Sequence, residues 1–166
     1  MFEFPVLDPG DYRLNMDISQ LPSGIIPAIS LPRDISLKKG DNIFIDVPLE
    51  QVGTIYGVVF DDGNKNMQKD EEEDGLSPIR VVLLKDGKEI QEAFTDQKGR
   101  YILTDIKPGD YVVKIDREYL PHRYIMTTPE TIKVNVKSKE QIADINFGTY
   151  KKPRKIIKTF FKKKKK

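Results

Sequence analysis

Residues 60–76, "FDDGNKNMQKDEEEDGL", place seven carboxylates between Asp61 and Asp74 beside only two lysines, Lys65 and Lys69. With Asp62 as position 1, side-chain oxygens fall at Asp62 (1), Asn64 (3), Asn66 (5), Asp70 (9) and Glu73 (12), and the Gln68 carbonyl falls at position 7. This is the ligand spacing of a twelve-residue calcium loop, in which a hard cation collects about six to eight oxygens and the last glutamate closes the shell with both of its own. Calcium is therefore the expected cofactor, and a solvated acidic turn is the alternative. Asp61, Glu71, Glu72 and Asp74 fall out of register and are expected to supply outer charge or solvated surface. A helix-flanked calcium loop turns on glycine at position 6, where this chain has Met67. Left-handed geometry at a non-glycine residue costs about 1–2 kcal/mol. Strand-like sequence on both sides of the loop excludes a helix-loop-helix hand.

The remaining residues offer little chemistry. The absence of cysteine excludes disulfides, thiolate metal sites and cysteine nucleophiles. The single histidine, His122, sits in the proline-flanked run "LPHRY" with no second histidine to pair with it. No separately placed acid and base suggest catalysis, so the chain reads as a non-enzyme with no small-molecule substrate. Carbohydrate binding is a second reading, since small β-sandwiches often do it. Tryptophan, the commonest sugar platform, is absent, which leaves Tyr119 and Tyr124 as substitutes or as cover for a sheet edge.

The net charge of +2 conceals a division. Residues 151–166 carry ten Lys/Arg and no acid, which leaves 18 basic against 26 acidic residues, a net of −8, in residues 1–150. Lys151, Lys152, Arg154, Lys155, Lys158, Lys162, Lys163, Lys164, Lys165 and Lys166 are thus candidate polyanion-binding residues. Ile156, Ile157, Phe160 and Phe161 would form a narrow apolar stripe on a helix. Such a tail suits an anionic membrane, a cell-wall polymer or nucleic acid, and it equally suits a disordered solubilising terminus. No apolar run approaches the roughly 20 residues that span a bilayer, and "MFEFPVLDPGDY" has no signal-peptide pattern. Any export signal is expected outside this sequence.

The elements that must hold the loop are strands. Apolar alternation marks 54–60, 79–84, 90–95, 100–106, 110–115, 131–136 and 141–147, and "KDGK", "DQKG" and "KPGD" carry hairpin, type I and type II turn chemistry between several of them. Seven short strands predict an all-β, antiparallel β-sandwich. A shift of 99 residues aligns Phe2–Pro22 with Tyr101–Pro121 at seven identities in 21 positions, among them "PGDY" at 9–12 and 108–111. With a one-residue slip, Ile45–Leu49 then matches Ala143–Phe147. Residues 1–51 thus read as the C-terminal half of a β repeat, 52–149 as a complete sandwich, and 150–166 as a disordered or amphipathic polybasic tail. The opening strands of the first repeat are expected upstream.

The loop spacing Phe60-x-Asp62-x-Asn64-x-Asn66-x-x-x-Asp70-x-x-Glu73-x-Gly75-Leu76, followed by "IRVVLL", "TDQKGRYIL" and "IKPGDYVVKI", closely resembles the SdrD B-like repeat domains of staphylococcal serine-aspartate repeat surface proteins. The resemblance covers 53–148 in full and 1–51 in part, and the later glycine-tyrosine pattern is shared with prealbumin-like and collagen-adhesin B-type modules. Met67 stands where the family carries glycine, and Pro78 where glycine is frequent. The resemblance implies a calcium-stabilised spacer in a bacterial cell-surface or secreted protein, partnered by neighbouring repeat modules of a longer chain. Collagen-adhesin relatives often carry a Lys-Asn isopeptide bond with the lysine on the first strand. Here "TIYGVVF" has no lysine and "YVVKI" no acid. The intact mass is therefore expected to equal the sequence mass, and a deficit of one ammonia or water mapped between two strands would contradict this.

Overall fold

The computed structural model describes residues 2–4 and 6–154. The run of residues before Val52 yields four short strands, β1 (Gly10–Leu14), β2 (Ile25–Pro27), β3 (Arg33–Leu37) and β4 (Leu49–Gln51). Nine more follow: β5 (Gly53–Asp61), β6 (Arg80–Lys85), β7 (Lys88–Phe94), β8 (Arg100–Ile106), β9 (Gly109–Ile115), β10 (Tyr124–Met126), β11 (Thr131–Val136), β12 (Gln141–Ile142) and β13 (Phe147–Lys151). The expected all-β sandwich is present. One sheet has the order β11-β9-β6-β7, and the other is β10-β13-β5 with β8 on the second edge of β5 and β12 beside its first residues.

Between them the sheets enclose one core. Ile55, Val59, Tyr101, Leu103 and Phe147 come from the second sheet, and Val81, Leu83, Tyr111, Val113, Ile115, Val134 and Val136 from the first. The alternation in β8 and β9 is what delivers this, because every second side chain points inward. Each fully buried aliphatic or aromatic residue contributes roughly 1.5–3 kcal/mol.

Two features of the expected strand set are corrected. The module has nine strand segments rather than seven, and it is not purely antiparallel, since β12 and β13 both run parallel to β5. The predicted strand 141–147 breaks after Ile142, where Asp144 takes a left-handed φ of 61°. Across the break the ladder is kept by substitutes: Val58 N–H donates to Asn146 Oδ1 at 2.9 Å, and Ile145 N–H donates to the Tyr56 carbonyl at 3.2 Å. The additional strand, β10, is three residues long and lacks a legible period; it forms because β13 offers it an edge. Turn chemistry fares better at "KDGK", where Asp86 and Gly87 have φ of 50° and 76°, the two positive values of a type I′ hairpin. At "KPGD" no type II turn forms: Gly109 has φ 151° and opens β9 directly.

The register of the first strands repeats that of the complete module. β1 pairs β3 from Gly10↔Leu37 to Leu14↔Arg33, and β9 pairs β11 from Gly109↔Val136 to Val113↔Ile132, each position displaced by 99. Tyr12 donates to the Asp8 carbonyl at 2.7 Å as Tyr111 donates to that of Lys107 at 2.8 Å. Asp17 and Asp116 cap matching 3-10 turns. The slip lies in the opposite direction from the alignment, because β2 pairs β4 at Pro27↔Leu49 where β10 pairs β13 at Met126↔Thr149. Backbone pairing therefore equates Leu49 with Thr149, not with Phe147.

Gly57 lets the sheet close where β12 gives way to β13. A Cβ there would lie 2.0 Å from the Ile145 carbonyl and 2.6 Å from the Tyr101 hydroxyl. That hydroxyl donates to the same carbonyl at 2.6 Å, and burial pushes its pKa well up. Gly57→Ala is expected to cost about 3 kcal/mol, the upper part of the range for overpacking. By calorimetry this should lower Tm by more than about 10 °C in a domain of this size. An unchanged Tm would mean that the Ile145 segment yields freely.

Candidate metal centre

The acidic loop connects β5 to β6 and so crosses from one sheet to the other. Its two ends are tied together. Leu76 N–H donates to the Val59 carbonyl at 2.8 Å, Asp61 N–H to that of Asp74 at 2.9 Å, and Asp62 N–H to that of Thr149 at 2.6 Å. The last bond fixes the first candidate ligand against β13.

Asp62 is 0% exposed. Its Oδ1 accepts from Asn66 N–H and its Oδ2 from Met67 N–H, both at 3.0 Å. A buried carboxylate requires such donors, because desolvating it unpaired costs several kcal/mol. The other candidates join the same network. Asp70 Oδ2 accepts from the Asn64 amide at 2.7 Å and the Asn66 amide at 2.9 Å. Glu73 reaches back across the loop, with Oε1 accepting from Gly63 N–H at 3.0 Å and Oε2 from Asp70 N–H at 3.2 Å. Asn64 Oδ1 accepts from Asn66 N–H, and Asn66 Oδ1 from Gln68 N–H, so the turn of the loop is built from successive asparagine side chains. Gln68 itself is exposed.

Five of the six predicted ligands are thus brought into one hydrogen-bonded set, and Gln68 joins it through its N–H. Among the described residues no three Asp, Glu, His or Cys groups stand close enough to hold an ion by themselves. The carboxylates meet through amides instead. The set brings together three carboxylates and two asparagine side chains, each residue with an oxygen engaged by an N–H of the loop, and both asparagine amides turn their NH2 groups to Asp70; oxygen donors of this kind are what a hard divalent ion would take. Neither lysine neutralises it. Lys69 Nζ donates to the Asp70 and Glu73 carbonyls, each at 2.6 Å, while Lys65 Nζ lies 3.9 Å over the Tyr150 ring. Among the described residues none of the seven loop carboxylates is ion-paired.

Glu71, Glu72 and Asp74 are exposed, as expected of residues out of register. Asp61 has a structural partner that its spacing does not reveal: its Oδ2 accepts from the Tyr124 hydroxyl at 3.0 Å. Burial first, and Asp61 second, raise the pKa of that hydroxyl. Tyr124 is further covered by Lys151, whose ammonium lies 5.7 Å from the ring, while Tyr119 packs edge-on to Phe94. The two candidate sugar platforms therefore have separate partners. His122 is exposed in its loop. Of the basic residues, Lys151 closes β13, Lys152 donates its N–H to the Arg123 carbonyl, and Arg154 is exposed. Lys155, Lys158 and Lys162–Lys166 lie outside the described residues.

Met67 adopts φ 65°, the left-handed turn that position 6 demands, and its side chain is exposed. Met67→Gly keeps the N–H that serves Asp62 and removes the strain. Relief of about 1–2 kcal/mol is set against about 0.4–1 kcal/mol of added unfolded-chain entropy. The metal-free protein should therefore melt a few degrees higher, as thermal denaturation in chelator would show, and a lower Tm would place the strain elsewhere.

A family model described as the SdrD B-like domain matches residues 53–151. Serine-aspartate repeat-containing protein D of Staphylococcus aureus (strain Newman) is 30% identical over 138 residues, which cover 75% of this chain and 10% of that protein. Colossin-A of Dictyostelium discoideum is 28% identical over 134 residues, covering 69% of the chain and 1% of that protein. The chain thus spans a tenth or less of these two relatives. Among solved structures, the Bacillus anthracis TIE protein aligns over 86% of this chain and 25% of its own at TM-score 0.50 and 21% identity, a likeness of fold. The loop spacing, the two-sheet architecture and the match across 53–151 together make the chain a member of the SdrD B-like domain family.

Proposed function

We propose that the chain is a non-catalytic, calcium-stabilised β-sandwich spacer in a repetitive bacterial cell-surface or secreted protein, placed between neighbouring modules of a longer polypeptide. The observation that carries this reading is the loop charge: Asp62 is fully buried, Asp61, Asp62, Asp70 and Glu73 accept hydrogen bonds from neutral donors only, and among the described residues none of the seven loop carboxylates has an ion pair. A divalent cation held by Asp62, Asn64, Asn66, the Gln68 carbonyl, Asp70 and Glu73 would supply the missing positive charge. It would also lock the crossing between the two sheets.

Strand direction supports a load-bearing role. β5 begins at Gly53, and β13, parallel to it, ends at Lys151, so chain entry and exit lie at opposite poles. Tension applied through both loads the β5–β13 ladder in shear, in which several hydrogen bonds must break together. The acidic loop sits at the exit pole, bonded to Thr149, where an ion would keep that ladder closed.

A ligand that binds only the folded state adds RT ln(1 + [L]/Kd), roughly 2.7 kcal/mol at a hundredfold excess over Kd. Calcium is therefore expected to raise the Tm of the full chain and protect residues 62–73 from proteolysis, with magnesium less effective because it prefers a tight octahedron. Glu73→Gln should abolish most of the shift, and Glu72→Gln should leave it intact. No binding at millimolar calcium by calorimetry, or equal behaviour of the two variants, would refute the metal reading and leave a solvated acidic turn.

A further inference from the structure

β1–β4 repeat the pairing of β9 with β11 and, with a slip, that of β10 with β13, and among the described residues nothing paired to them corresponds to β5, β6 or β7. In the complete module β9 is flanked by β11 on one side and β6 on the other, in the register Val81↔Ile115, Val82↔Lys114, Leu83↔Val113 and Leu84↔Val112. β1 has β3 in the register of β11, and among the described residues its other edge is unpaired. The inward side chains of β9, Tyr111, Val113 and Ile115, are buried, whereas their counterparts Tyr12, Leu14 and Met16 remain partly exposed. Val134 and Val136 are likewise buried, and their counterparts Ile35 and Leu37 are not.

Two further observations identify the absent neighbour. Phe2 and Phe4 correspond to Tyr101 and Leu103 of β8, which are buried where β8 pairs β5. Here they are 53% and 63% exposed and form no strand, and among the described residues no counterpart of β5 lies beside them. Asp116 caps its 3-10 turn with Oδ1 and turns Oδ2 to Arg80 of β6 at 2.9 Å. Asp17 caps the equivalent turn with Oδ1, bonded to Ser19, but among the described residues its carboxylate has no ion pair to match that of Asp116 with Arg80. Edge, apolar face and charge all point to the same occupant.

We infer that residues 2–51 are an acceptor for a first half-module with the pattern of residues 53–99: a strand like β5 beside Phe2 and Phe4, and a hairpin like β6–β7 along β1. The incoming hairpin would pair its equivalents of Val81, Val82, Leu83 and Leu84 with Met16, Asn15, Leu14 and Arg13, and place its arginine on Asp17. This rests on the spacer reading only in supposing that such half-modules exist to be met. A second copy of this chain is the wrong occupant, since its own β5–β7 are committed to its own β8, β9 and β13.

The test adds a synthetic hairpin of residues 77–96 to the full chain and follows amide hydrogen exchange by NMR. In parallel, the full chain is extended at its N-terminus by a second copy of residues 53–99, which guards against a hairpin too weak to bind alone. Slowing of exchange by about tenfold or more at Arg13–Met16 in either sample, as expected for amides drawn into a ladder, supports the acceptor. Asp17→Asn keeps the cap but removes the charge, so it should weaken hairpin binding severalfold while hairpins made with Arg80→Gln bind both chains alike. Unchanged exchange at Arg13–Met16 in both samples, or protection already present in the unaided chain through self-association, overturns it. The calcium response of residues 53–151 is read separately, so failure here leaves the spacer reading standing.

Discussion

β5 is the strand on which the module is built, because both of its edges are occupied along most of its length. β8 lies antiparallel on one side, and β12 and β13 lie parallel in sequence on the other. A strand paired on both sides and buried on its inner face has no freedom to slip: a one-residue shift would send Ile55 and Val59 to the solvent face. Close approach at Gly57 makes this arrangement feasible, and the Tyr101 hydroxyl bonded to Ile145 seals the gap between β12 and β13. The acidic loop inherits its position from the same strand, since Asp62 directly follows Asp61, where β5 is still held by Thr149.

The loop shows how far a chain can satisfy clustered charge without opposite charge. Every predicted side-chain ligand accepts or donates a hydrogen bond within the loop, and the ammonium of Lys69 is spent on two carbonyls rather than on a carboxylate. Hydrogen bonds from neutral N–H groups offset desolvation, but they do not neutralise the net negative charge of the loop. The network fixes loop shape and leaves net charge uncompensated, which is the electrostatic state that a divalent ion would relieve.

The first strands separate local from tertiary instruction. "PGDY" places a tyrosine hydroxyl on a carbonyl four residues back in both copies, aspartate caps the 3-10 turn in both, and the strand registers agree residue for residue. None of this requires the opposite sheet. Burial does, and no described residue of 1–51 is buried. The same pattern of side chains therefore makes a core in one copy and an uncovered face in the other.

Most strand positions in the complete module, the hairpin at "KDGK" and the spacing that brings Asp62, Asn64, Asn66, Asp70 and Glu73 into one hydrogen-bonded loop were legible in the amino-acid sequence, because alternation, turn chemistry and side-chain identity act over a few residues. The 99-residue repeat was legible for the same reason. What only the tertiary structure decided depends on partners far away in the chain. The parallel placement of β12 and β13, the break at Asp144 filled by Asn146, and the appearance of β10 all follow from edges offered by residues 23 to 88 positions distant. Asp61 likewise has the same side chain as Asp62 and sits one place earlier, yet it serves Tyr124 rather than the loop, because strand pleating turns consecutive residues to opposite faces. Spacing identified which oxygens could meet; the fold determined what each of them faces.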